Sequence, residues 1–271
     1  MNPHKDYTAV IRTYNSLPLL VEVLDALKMQ TIPPYDYVIV DSSKDSSQKE
    51  AIKQLGVRVV DYPDEEFNFS KAINIGVDHV KTELALIISS HVLLNDHSLI
   101  EKGLALESFS IENYLGFCLT PAVNVSEGWE PARVTKYNFS LDLAASNSCT
   151  MLKTLHIQQR PFLEEVFSAE DQEWAAYYLR EKEAYFYRVK AYEAKYLNIN
   201  MNDQKIINEQ IALAYYTHRE MLGYRNILMR LFRAVVARVR GRAGRARLHF
   251  TIAKELFVAR SHKPVKKSKY F

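Results

Sequence analysis

Cysteine is scarce in this chain of 271 residues: only Cys118 and Cys149 occur, each in an apolar or small-residue setting. They can build neither a disulfide framework nor a four-cysteine zinc site, and a reducing cytoplasm is the compartment that fits. Also lacking is any stretch near the roughly 20 apolar residues that span a bilayer. The opening Met1-Asn-Pro-His-Lys-Asp6 has no apolar segment of the kind a secretion signal carries. These absences lead us to expect a protein kept on the cytoplasmic side. A glycine-rich triphosphate loop and an evident carboxylate pair for two metals are missing too, which counts against nucleoside triphosphate chemistry.

What is present is ordinary for a folded enzyme, with 48% hydrophobic and 11% aromatic residues, enough for one large core or two modest ones. The charge is unevenly spread. Residues 219 to 271 hold fifteen Lys or Arg against Glu220 and Glu255, a net of +13. With +3 for the whole chain, residues 1 to 218 are left with −10. The acidic majority is a poor holder of polynucleotide, whereas the basic tail suits an anionic lipid, an RNA or an acidic partner.

Strand and helix signals alternate through the acidic part. Thr8 to Thr13 and Tyr37 to Val40 are β-rich runs, and Leu19, Leu20, Val23, Leu24 and Leu27 between them keep helical spacing behind Pro18. Further apolar strands are predicted at Val57 to Val60, Leu84 to Ile88 and Leu115 to Leu119, with a helix over Ser70 to Val80. Continuous apolar strands alternating with helices predict a mostly parallel sheet covered on both faces. Such sheets bind ligands at the carboxyl ends of their strands, where Thr13, Asn15, Asp41, Ser43, Ser89, Ser90 and His91 fall.

Three stretches in order, Val10-Ile-Arg-Thr-Tyr-Asn15, Val38-Ile-Val-Asp-Ser-Ser43 and Ala169-Glu-Asp-Gln-Glu-Trp174, carry a resemblance, joined by Glu66-Phe-Asn-Phe-Ser-Lys-Ala-Ile-Asn-Ile-Gly76. Over residues 8 to about 180 the chain resembles family 2 glycosyltransferases of the GT-A fold, particularly the bacterial rhamnosyltransferase-like members of surface polysaccharide synthesis. The resemblance implies a Rossmann-like α/β catalytic domain over 1–218, with a nucleotide-sugar half to about 123 and an acceptor half over about 124–218. Residues 219–271 stand outside it as a basic helical tail.

Roles follow from the resemblance and are weighed against plain structural ones. Asp41 would accept hydrogen bonds from a donor base or ribose, or else serve as a turn or N-cap aspartate. Thr13, Asn15 and Ser43 would line the same pocket. Lys71 and Asn74 lie three apart on one helix face and would present a cation and an amide to the donor diphosphate, the alternative being a solvated surface pair. His218, with Arg219 beside it, would return to that diphosphate or cap a helix end. Glu170 and Asp171 would act on the acceptor, Asp171 as the base, although acidic residues in a first turn also satisfy the helix dipole. Ser168 is the expected cap of that helix, with Trp174, Ala175, Tyr178 and Leu179 as its apolar stripe. Trp129 and Trp174 read as packing residues.

One departure concerns the metal. Most GT-A enzymes carry an Asp-x-Asp-like motif after this strand, and here the position reads Ser89-Ser90-His91. Manganese or magnesium is therefore a cofactor candidate poorly served by its ligands, with His91 and His218 as the candidate imidazoles.

The tail predicts a basic amphipathic helix over Arg225 to Arg240, with Ile227, Leu228, Leu231, Phe232, Val235, Val236 and Val239 on one wide face and Arg230, Arg233 and Arg240 opposite. A second stripe, Leu248, Ile252, Leu256 and Phe257, follows Gly241 to Gly244. The function expected is an inverting glycosyltransferase, using a nucleotide-sugar donor and a saccharide or lipid-linked acceptor, peripheral on the inner face of the cell membrane. No nucleic-acid partner is expected. A catalytically inactive, membrane- or polyanion-binding relative is the alternative, and a nucleotidyltransferase is a remoter one.

Overall fold

The computed structural model describes residues 6–63, 66–121, 128–197 and 202–264. The chain divides into two compact units. The first comprises Met1–Glu65, Ser70–Leu163 and Trp174–Ile199; the second comprises Glu66–Phe69, Glu164–Glu173 and Asn200–Phe271.

The first unit opens with β1 (Tyr7–Thr13), α1 (Leu17–Lys28), β2 (Asp36–Asp41), α2 (Ser46–Lys53), β3 (Arg58–Asp61), α3 (Phe69–Asp78, whose first residue belongs to the second unit) and β4 (Leu84–Ser89). It continues through β5 (Val92–Leu94), α4 (Leu99–Leu104), β6 (Tyr114–Pro121), β7 (Trp129–Val134), β8 (Cys149–Lys153) and α5 (Thr154–Gln159). Helix α6 (Glu170–Glu181) starts in the second unit and continues in the first, and β9 (Tyr185–Ala191) and β10 (Ala194–Tyr196) complete it.

Among the described residues eight strands form one sheet in the order β3-β2-β1-β4-β8-β6-β9-β7. The β3-β2-β1-β4 half is parallel throughout, as the runs of apolar residues predict. Beyond it β8 is antiparallel to both β4 and β6, β9 is parallel to β6, and β7 is antiparallel to β9. A short antiparallel pair, β5 with β10, stands apart.

Alternation sorts the strands into two buried faces. Tyr7, Ala9 and Ile11 share a core with Leu20, Val23, Leu24 and Leu27 of α1. The other face lies under α3, and there Gly76 is required: a Cβ on it would come within 2.3 Å of Val10 Cγ1 and 3.0 Å of Val40 Cγ2. That close approach seats the helix carrying Lys71 and Asn74 directly on β1 and β2.

The second unit holds α7 (Asp203–Ala212), α8 (Tyr224–Val239) and α9 (Ala243–Ala259). Its core joins Phe167 to Ile207, Ile211 and Ala212 of α7, Ile227 of α8, and Ile252, Ala253, Leu256 and Ala259 of α9. The single wide apolar face expected on α8 divides in two here. Ile227, Ala234 and Ala237 are buried, while Leu228, Phe232, Val235 and Val239 face out. Phe257, expected in one stripe with Leu248, Ile252 and Leu256, is exposed as well, and Arg230, expected opposite the apolar face, is half-buried against Gln210. Small alanines let α8 and α9 pack closely, so the bulkier apolar residues are left outside.

Candidate active site

In the first unit the carboxyl ends of β1, β2 and β4 meet through a network of hydroxyls. The Asp41 side chain is fully buried, and its Oδ1 accepts the Ser43 N–H at 2.9 Å. Its Oδ2 is buried with no hydrogen-bond partner among the described residues. Ser43 Oγ accepts the Asn15 N–H at 2.8 Å, and Asn15, held at φ 45°, accepts the Lys44 N–H on its Oδ1. Asparagine tolerates that left-handed conformation better than other side chains with a Cβ. Ser42 donates from both its N–H and its hydroxyl to the Thr13 carbonyl, each at 3.0 Å.

The network extends to β4. Thr13 and Ser16 hydroxyls are bonded at 2.9 Å, and Ser16 and Ser90 hydroxyls at 2.8 Å. Ser16 occupies the N-cap position of α1 without capping it. Its hydroxyl instead bridges two strand ends, a role no local sequence pattern discloses. Arg12 is a second contributor missed by sequence reasoning: its guanidinium donates to Ser89 Oγ at 3.1 Å and to the Asn147 carbonyl at 2.7 Å. A positive charge therefore sits beside the position where an Asp-x-Asp motif would hold a metal. The His91 ring lies edge-on to Tyr196 with centroids 4.6 Å apart.

Ser89, Ser90 and His91 do not fit a hard divalent ion, because they offer hydroxyls and one imidazole but no carboxylate. No group of three or more His, Cys, Asp or Glu is placed to hold a metal among the described residues.

The two α3 residues take different parts. Lys71 is half-buried in the first turn. Both ends of the Asn74 amide are engaged by the backbone of one residue, its Nδ2 donating to the Phe162 carbonyl at 2.9 Å and its Oδ1 accepting the Phe162 N–H at 3.0 Å. Asn74 thus clamps α3 to the segment at Phe162, and Ser70 adds a bond to the Leu163 carbonyl.

A family model, glycosyl transferase family 2, matches residues 8–165. The chain belongs to that family. No curated protein matches this glycosyltransferase. Among solved structures it is similar to the mannosyltransferase PcManGT from Pyrobaculum calidifontis, in complex with GDP-Man and Mn2+, with a TM-score of 0.64 at 14% identity, over 95% of this chain and 88% of that one. It is also similar to S. aureus TarS 1-349 in complex with UDP-GlcNAc, with a TM-score of 0.52 at 20% identity, over 94% and 89% of the two chains. A third is glucosyl-3-phosphoglycerate synthase from Mycobacterium tuberculosis in complex with Mn2+, UDP-Glc and G3P, with a TM-score of 0.56 at 12% identity, over 78% and 79%. At these identities the likeness establishes the GT-A fold of this family 2 glycosyltransferase.

The glycosyltransferase's remaining candidate residues belong to the second unit. Glu170 is 7% exposed, while Asp171 and Glu173 are half-buried in the first turn of α6. The expected Ser168 cap is corrected by one residue. Ala169 precedes the helix at φ 55°, and its carbonyl accepts the N–H groups of Gln172 and Glu173, each at 3.1 Å. A β-carbon in that conformation costs roughly 1–2 kcal/mol, and such strain gathers where a side chain must be aimed. The apolar stripe of α6 is as expected, with Trp174 Nε1 donating to the Arg160 carbonyl at 2.8 Å and its ring stacked on Phe162.

His218 is buried, and its Nδ1 lies 3.2 Å from Glu220 Oε1. Arg219 is exposed and lines a cavity of about 320 Å³ with Tyr215, Leu222, Arg260 and Lys263.

Sequence reasoning missed Glu209 on α7. Burial raises its carboxyl above the ordinary 4.5; Lys205 opposes the rise and the negative charge of Glu170 adds to it. No local signal marks it, because the partner carboxylate is distant in sequence. Below about pH 4.5 the unfolded and folded chains both hold this proton; above it the unfolded glutamate ionises freely and the folded one does not, so stability falls as pH rises through the folded value. Glu209→Gln is expected to raise the melting temperature at pH 7 and to make no difference near pH 4, as thermal unfolding at the two pH values would read.

Proposed function

We propose that this glycosyltransferase is an inverting enzyme that moves a hexosyl or deoxyhexosyl group from a nucleotide sugar to a saccharide or lipid-linked saccharide, in building a bacterial surface polysaccharide. The observation that carries donor binding is Asp41. A buried carboxylate oxygen without a donor costs about 1–3 kcal/mol or more, and a ribose hydroxyl or base N–H would recover it at the strand end where ligands of such sheets bind. Thr13, Asn15 and Ser43 shape the turn around the nucleoside.

Asp171 takes the proton from an acceptor hydroxyl as its oxygen bonds to the anomeric carbon and the bond to the nucleoside diphosphate breaks on the opposite side. Glu170 positions that carboxylate. The departing diphosphate is met by Lys71 and by the Ser89 and Ser90 hydroxyls backed by Arg12. Most of the acceleration then comes from alignment and from charge placed in advance. The basic residues 219–271 bring the enzyme to an anionic membrane surface, where a lipid-linked acceptor resides.

The test is acceptor-dependent release of nucleoside diphosphate from UDP-, GDP-, dTDP- and CDP-sugars, with manganese or with EDTA. One donor class should be consumed, at a rate EDTA leaves largely intact, and the new glycosidic bond should have the opposite anomeric configuration. Consumption of a nucleoside triphosphate with strict metal dependence would instead identify a nucleotidyltransferase.

A further inference from the structure

The second unit satisfies its own core with one side of α8 and leaves a second apolar stripe on the other. Leu228, Phe232, Val235 and Val239 recur at intervals of four, three and four, so they form one line along the helix. They are 63%, 63%, 61% and 82% exposed. Ile227, Ala234 and Ala237, the buried positions, fall on the opposing side. A surface helix ordinarily puts polar residues where this stripe stands. Helix α9 repeats the pattern, with Phe250 and Phe257 each 57% exposed and Ile252 and Leu256 buried.

Cations flank both stripes. Arg225, Arg233, Arg238 and Arg240 on and after α8, and Arg247 and Lys254 on α9, are all exposed. Against the fifteen basic residues of 219–271 stand only Glu220 and Glu255. Neither helix is long and apolar enough to cross a membrane.

We infer that the outer faces of α8 and α9 form a docking surface for an anionic phospholipid bilayer, the α8 stripe entering the acyl boundary and the arginines meeting lipid phosphates. This deepens the membrane association in the proposed function and rests on that reading for its purpose. Charge selects this occupant. A second copy of the chain would set two segments of +13 against each other. A nucleic acid would leave Val235 and Val239 with nothing to do, since base stacking needs aromatic or guanidinium planes. An interfacial helix needs both features present here, an apolar line and a cationic border.

The experiment is co-sedimentation of the full chain with vesicles of phosphatidylcholine alone and of phosphatidylcholine containing phosphatidylglycerol. Binding to the second only is expected. Arg225→Gln and Arg238→Gln should each weaken it about fivefold, the equivalent of about 1 kcal/mol per cation. Phe232→Glu with Val235→Glu should abolish it, and a tryptophan placed by Phe232→Trp should shift its emission to the blue on vesicle addition. Both apolar positions are exposed, so the variants should fold, which an unchanged melting temperature would verify. No donor or acceptor enters the assay, so failure to dock and failure to transfer sugar are read separately. Binding that Phe232→Glu with Val235→Glu leaves intact, or absence of vesicle binding, would overturn the inference. So would sedimentation showing a dimer that the double variant dissolves.

Discussion

Asp171→Asn should lower turnover by about 10²- to 10⁴-fold, the usual worth of a positioned general base. Asparagine is close in shape to aspartate and keeps an oxygen for the Gln172 N–H, which Asp171 Oδ1 accepts at 2.8 Å. The turn should therefore stay folded while the group loses its capacity to take a proton. The loss should fall on kcat with KM little changed, because the interaction matures only as the acceptor oxygen bonds to carbon. The carboxylate needs no unusual ground-state affinity for protons, since the attacking hydroxyl becomes acidic only in the transition state. Glu173→Gln, two positions beyond the pair, should act as a mild control. Steady-state kinetics with the preferred donor decides this, and full activity in Asp171→Asn would remove the residue from the role.

Gly116→Ala should be the most damaging single methyl addition in the sheet. Gly116 sits in β6 at φ 145°, and a Cβ there would lie 1.9 Å from the Met151 carbonyl oxygen. That oxygen belongs to the backbone of β8, paired with β6 at this point, so neither strand can give way without breaking its ladder. The pairing of β6 with β9 is irregular between Tyr114 and Phe117, which marks Gly116 as part of a bulge. Overpacking at about 1–3 kcal/mol together with conformational strain at about 1–2 kcal/mol gives a loss of roughly 2–5 kcal/mol. Set against a typical stability of about 5–15 kcal/mol, that leaves much of the chain near its unfolding threshold. Gly56 supplies the comparison. It has φ 71° with nothing within 4 Å of its Cβ position, so Gly56→Ala should cost only the strain. Urea unfolding of the two variants should separate them clearly; equal losses would mean that the β6 bulge relaxes.

The parallel half of the sheet was legible in the chain because its strands are buried on both faces. Runs such as Val38 to Val40 and Leu84 to Ile88 are apolar without alternation, and the polar residues that end them mark the ligand edge. Reading became harder past β6. In β7 only Val134 is fully buried, and the tyrosines, lysine and arginine of β9 disguise a strand that pairs on both sides. The place of Asp41 at a strand end was legible. The clamp made by Asn74 was not, since its partner is the backbone of a residue 88 positions away. Glu209 was hidden for the same reason. In the tail, periodicity located the apolar positions of α8 and could not say which stripe would pack. The choice went to Ala234 and Ala237, whose small side chains permit a close helix pair, rather than to Phe232.

Nucleotide recognition by Asp41 is tested most directly by thermal unfolding with UDP, GDP, dTDP and CDP, each with manganese and with EDTA, in the wild type and in Asp41→Ala. A ligand at about 100 times its dissociation constant adds about 2.7 kcal/mol, a readily measured rise. Expected is stabilisation by one nucleoside diphosphate above the others, retained in EDTA and lost in Asp41→Ala. No stabilisation by any of the four, or a shift that Asp41→Ala keeps in full, would contradict donor binding at the ends of β1 and β2.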